Sequence, residues 1–132
     1  METQILFLIK IAYILAIAYV IGVQREVAGK DLGFRSIALV MLGAFGFTYT
    51  AYNSEGILDY HVIAQIVSGI SFVGAGLIFK DKNVHNLTTA ILVWVCAAMG
   101  VMVCLGMFIE VFCLSIITWL LLIYKRKQNE ID

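Results

Sequence analysis

The sequence predicts an all-α integral membrane protein, a bundle of about five transmembrane helices with the amino terminus outside and the carboxyl terminus in the cytoplasm. Three observations carry that expectation. Of 132 residues, 62% are hydrophobic and only 14% charged, with a mean hydropathy of +0.97; a soluble domain of this size would leave too much apolar surface in water. The apolar residues lie in long continuous runs, not in the two-residue alternation of a membrane barrel. Proline is absent, and 11 glycines suit uninterrupted helices whose backbones approach closely.

The five runs are Ile5 to Val23, Ser36 to Tyr52, Val62 to Phe79, Leu87 to Leu105 and Met107 to Tyr124. Each has about 17 to 20 residues, which at 1.5 Å per residue approaches the thickness of the hydrocarbon core. The first run carries Glu2 and no basic residue ahead of it, so it reads as a retained span rather than a signal peptide, although Ala16-Ile17-Ala18 has the small-x-small form. The fourth and fifth meet at Leu105-Gly106-Met107 with almost no polar linker. A single helix of about 38 residues would overshoot the bilayer, so a tight hairpin at Gly106 is expected.

The connecting segments set the orientation. Arg25, Lys30, Arg35, Lys80, Lys82, Lys125, Arg126 and Lys127 all fall on one side, eight of the nine basic residues, while the segment Asn53 to His61 carries Glu55 and Asp59 and no lysine or arginine. The positive-inside rule places the basic side in the cytoplasm. The chain thus divides into a transmembrane domain over 1–124 and a short basic cytoplasmic tail over 125–132. A weak internal match lays Leu32 to Val40 against His85 to Val93, which reads as two hairpins in parallel orientation plus one helix, or as a chance likeness of short apolar strings.

Four groups of residues are candidates for function. In the third span Ala64, Ser68, Ser71 and Ala75 share one helical face, widened by Gly69 and Gly76 and followed by Gly74; a face of small residues serves helix packing, with ligand lining as the alternative. Lys10, Gln65 and Glu110 are intramembrane polar residues near one level. Lys10 and Glu110 either pair or snorkel separately to the outer interface. Gln24, Arg25, Glu26 and Arg35 form an inner-boundary motif around one short connection, which braces the loop or binds an anionic headgroup or partner. Asn86, Thr88 and Thr89 form a polar start to the fourth span, where side-chain oxygens cap helices.

Other chemistry is poorly represented. Net charge is zero, so the basic footprint of a nucleic-acid binder is missing. Cys96, Cys104 and Cys113 lie in apolar runs without a CxxC pair and read as small buried hydrophobes. His61 and His85 fall on opposite sides, and no zinc-protease or serine-triad pattern occurs. No enzyme activity, cofactor or metal site is expected. Membrane lipid, other membrane proteins and a second copy of the chain, as a dimer, are the expected partners.

At the residues named above the chain resembles the amino-terminal membrane domain of the MgtC/SapB family. The stretches that carry the resemblance are Gly22-Val23-Gln24-Arg25-Glu26, Gly29-Lys30, Gly33-Phe34-Arg35-Ser36, the glycine-rich run Ala64 to Gly76, and Leu87-Thr88-Thr89-Ala90 with Trp94, together covering roughly residues 12 to 105. Gln24 stands where the family usually has glutamate, and His61 where an arginine is common. The resemblance implies a multi-pass protein of the bacterial cytoplasmic membrane, linked to magnesium homeostasis or low-magnesium growth and in some relatives to virulence. It further implies action by binding and modulating membrane partners such as ATP synthase. An ion channel or transporter, for magnesium or another small ion, is the alternative. Many relatives carry a soluble cytoplasmic domain after the fifth span.

Overall fold

The computed structural model describes residues 1–30, 32–55, 59–79 and 87–129. They form five helices: α1 (Glu2–Val27), α2 (Phe34–Glu55), α3 (Tyr60–Phe79), α4 (Leu87–Cys104) and α5 (Phe108–Asn129). The first four contain stretches long and apolar enough to cross a membrane. The apolar part of α5, Phe108–Tyr124, is slightly shorter. Arg25 and Arg35 mark one end of the bundle, the basic end; Lys10 and Glu110 lie toward the far end.

The turn chemistry follows from two glycines. α1 closes with Gly29 at φ 67°, where Lys30 N–H donates to the Arg25 carbonyl and Gly29 N–H to that of Glu26. α4 closes the same way at Gly106, φ 80°, with Met107 N–H on the Met102 carbonyl and Gly106 N–H on that of Val103. Both are Schellman closures, which need a residue free to enter the left-handed region. The hairpin expected at Gly106 is therefore present, and α4 and α5 are separate helices.

α4 occupies the centre: 61% of its membrane-spanning window is buried, against 6% for α3. α1 pairs with α2 and α3 with α4, while α2 and α4 make the most extensive contact of all. Ile14, Ile21, Ile37, Met41, Phe45, Cys96, Met99, Val103 and Val111 are almost fully buried in one continuous core. Two crossings depend on a missing side chain. A Cβ at Gly22 would overlap the Phe34 backbone, and one at Gly100 would overlap the Met41 carbonyl. Small residues at helix crossings are what lipid-immersed bundles use, because apolar association there rests on packing.

Three of the buried hydroxyls are satisfied within their own helices. Thr48 Oγ1 donates to the Ala44 carbonyl at 2.8 Å, and Ser115 and Thr118 bond back to Phe112 and Leu114 at 2.8 Å each, which spares the core an unpaired polar group. The cysteines are free and unpaired: Cys96 and Cys104 are buried, but Cys113 is exposed on α5, not in the core where sequence analysis put it.

Candidate functional site

At the basic end the connection between α1 and α2 is drawn tight. Glu26 Oε1 accepts the Phe34 N–H at 3.0 Å, so the carboxylate caps α2 at the positive end of its macrodipole, worth about 0.3–1 kcal/mol. Gly33 leaves room for that carboxylate, since a Cβ there would lie 2.5 Å from Glu26 Oε1. Glu26 and Arg35 are exposed and Gln24 is half-buried. The acid of this motif therefore braces the loop.

Arg25 behaves differently. It is only 6% exposed, and its Nη2 donates to Thr89 Oγ1 at 2.5 Å, tying the last turn of α1 to the first turn of α4. Among the described residues its Nε has no hydrogen-bond partner, nor has the buried Gln24 Oε1. The sequence placed Arg25 and Thr89 in separate groups, one a loop brace or a site for an anionic headgroup or partner, the other a helix cap. They meet across 64 positions of chain. Thr88 is half-buried beside them, and Asn86 lies outside the described residues.

The small-residue face of α3 points away from the bundle. α3 rests on its neighbours through Ile63, Ile66, Ile70 and Leu77 and through the buried Gly74, whose position is 3.5 Å from the Ala90 carbonyl for an added Cβ. Ala64, Gln65, Ser68, Gly69, Ser71 and Gly76 are exposed, and nothing lies within 4 Å of a Cβ at Gly69 or Gly76. Of the seven positions singled out on this face, Gly74 alone is buried, and Ala75 is half-buried. Ser71 Oγ returns to the Val67 carbonyl at 2.8 Å. Grooves of about 530 Å³ and 460 Å³ flank α3 on its α2 and α4 sides; the first carries Gln65 and His61 among otherwise apolar walls.

Toward the far end, Lys10 Nζ donates to the Cys104 carbonyl at 2.6 Å, and Tyr13 Oη donates to the Phe108 carbonyl at 2.7 Å, with the two rings edge to face at 5.3 Å. The ammonium thus sits at the negative end of α4, where a cation is stabilised. Glu110 is exposed in the first turn of α5, also a favourable place for its charge. Each charge is placed by a helix end. Among the described residues there is no group of three or more His, Cys, Asp or Glu side chains suited to hold a metal ion.

The family model described as MgtC family matches residues 11–131. Protein MgtC of Salmonella typhimurium LT2 is 38% identical over 98 residues, covering 74% of this chain and 42% of that protein. Protein MgtC of Brucella abortus is 43% identical over 84 residues, 62% of this chain and 35% of that protein. YhiD of Escherichia coli K12, provisionally named a magnesium transporter, is 33% identical over 98 residues, 67% of this chain and 46% of that protein. The chain spans less than half the length of these curated relatives. No solved structure matches it.

Proposed function

Because the chain belongs to the MgtC family, we propose that it is a non-enzymatic regulator of the bacterial cytoplasmic membrane, serving magnesium homeostasis or low-magnesium adaptation by binding and modulating membrane partner proteins. In this reading the basic end faces the cytoplasm, following the lysine and arginine asymmetry. The virulence role of some relatives would be one outcome of the same activity.

One observation carries the proposal: α3 leaves its small-residue face, with the polar Gln65 and Ser68, outside the bundle. Hydrocarbon offers these side chains no hydrogen bonds, whereas a neighbouring helix that approaches closely offers both packing and polar partners. Glycines that pack inside this chain are recognisable by what an added Cβ would strike, as at Gly22 and Gly100; at Gly69 and Gly76 it would meet nothing within 4 Å. A partner helix, from another membrane protein or from a second copy in a dimer, suits that vacancy.

A photo-crosslinking residue at Phe72, exposed on α3, and at Leu120, exposed on α5, tests the reading in cells grown at low magnesium. Adducts specific to position 72 that disappear in Ser68→Leu are expected. Identical patterns at both positions, with Ser68→Leu harmless to low-magnesium growth, count against it.

Ion transport is the second reading, favoured by the name of the Escherichia coli relative and by the groove that holds Gln65 and His61. Magnesium requires near-octahedral oxygen coordination and gives up water reluctantly. Magnesium-dependent flux in proteoliposomes of the purified chain, abolished by Gln65→Leu or Glu110→Ala, would replace the regulatory reading with this one.

A further inference from the structure

The buried guanidinium at the basic end has no counter-charge among the described residues. Glu26 is committed to the start of α2. Glu2, Asp59 and Glu110 stand at or beside the starts of α1, α3 and α5, at the opposite end of the bundle. The first turn of α4, where Arg25 meets Thr89, is the positive end of that helix, so its dipole adds to the charge of the guanidinium. A desolvated cation without an anion costs more than a single hydrogen bond to a charged group returns.

We propose that Arg25 and the first turn of α4 form a binding site for a phosphate-class oxyanion. The donor set matches the ligand. Arg25 Nη2 holds Thr89 Oγ1 while Nε, enclosed within the bundle, has no partner among the described residues, and a guanidinium edge is shaped for phosphate oxygens. The Thr89 hydroxyl accepts from Arg25 and keeps its own proton to donate. The half-buried Gln24 amide, whose buried oxygen has no partner, presents N–H instead when its amide is rotated by half a turn.

Two sources offer this chemistry at a membrane boundary: the phosphodiester of an anionic phospholipid and free phosphate. The site discriminates among lipids by charge, because the ammonium of a zwitterionic headgroup would be pressed against the guanidinium and the positive end of α4. The proposal stands apart from the α3 reading of function and uses none of the same residues.

Native mass spectrometry of the full chain released from mild detergent tests it, with phosphatidylglycerol and phosphatidylethanolamine titrated in parallel. Inorganic phosphate forms a separate arm read by thermal midpoint. One retained phosphatidylglycerol per chain is expected, preferred about tenfold over phosphatidylethanolamine, lost in Arg25→Gln and weakened in Thr89→Val, and kept in Arg35→Gln. A midpoint raised by phosphate in wild type but not in Thr89→Val, without lipid retention, identifies the free anion as the source. Thr89→Val, nearly isosteric, carries the test if Arg25→Gln does not fold. Asp31 and Asp81 lie outside the described residues, and a double-mutant cycle of Arg25→Gln with each asks for an internal counter-ion. Strong coupling in that cycle, or retention equal in wild type, Arg25→Gln and Thr89→Val, or capture of a partner protein's carboxylate in place of either phosphate source, overturns the proposal.

Discussion

Replacing Gly100 by alanine tests the packing logic of the whole bundle. The added Cβ would overlap the Met41 carbonyl oxygen and lie 3.0 Å from its carbon and 3.1 Å from its Cα. The obstruction is backbone, so no rotamer change relieves it, and α2 and α4 must part by roughly 1 Å to regain ordinary contact. A gap of about that width forfeits a quarter to a half of the dispersion attraction across the seam, and the seam is made of Met41, Phe45, Cys96 and Met99, all at most 2% exposed. Overpacking costs about 1–3 kcal/mol, and removing a helical glycine returns about 0.5–1 kcal/mol. A net loss of about 1–2 kcal/mol is expected. Unfolding by SDS in mixed micelles, followed by far-ultraviolet circular dichroism and by the fluorescence of Trp94 and Trp119, reads it directly. Gly43→Ala is the control, because a Cβ at Gly43 meets nothing within 4 Å; it should leave stability unchanged or improve it by up to about 1 kcal/mol. Equal midpoints for the two variants would refute the argument that these glycines differ in what they touch.

Three further outcomes follow from the same contacts. Gly106→Ala places a Cβ in the left-handed region and should cost about 1–2 kcal/mol in the same titration, with no comparable loss for Gly76→Ala. Lys10→Met removes the cation at the end of α4 and should cost about 0.3–2 kcal/mol, whereas Glu110→Gln leaves that contact intact; matching losses in both would revive an ion pair between them. A membrane-permeant maleimide should label Cys113 in the folded protein while sparing the buried Cys96 and Cys104, and mass analysis showing all three equally modified would contradict the packing of α4.

The five helices were legible because hydropathy and length suffice to find spans, and the hairpin at Gly106 because two spans met at a glycine with no polar linker. The helix ends were harder. Lys10 was recognisable as costly at its depth, but its acceptor is a backbone carbonyl, and a carbonyl has no residue type to read. Arg25 and Thr89 each looked local for a similar reason: the bond between them is created by α1 and α4 packing side by side. On α3 periodicity grouped the small residues on one face, although Gly74 packs toward Ala90 inside the chain. It could not say which way the face turned, since lipid and a neighbouring helix both accept apolar side chains. The glycines that do hold this chain together, Gly22 and Gly100, stand alone in their spans and advertise no stripe.

The bonds from Lys10 and Tyr13 to the turn after α4 also bear on how the protein is made. Of the five helices α1 leaves the ribosome first, yet both acceptors belong to residues synthesised more than 90 positions later, Cys104 and Phe108. While the intervening spans enter the bilayer, the Lys10 ammonium has no helix end to rest on and the Tyr13 hydroxyl has no carbonyl. Translation past Phe108 supplies both at once and closes the far end of the bundle around the oldest helix. A nascent chain halted before Cys104 therefore differs from one extended past Phe108 in the polar state of its first helix, so a late step of synthesis is registered at the segment made first.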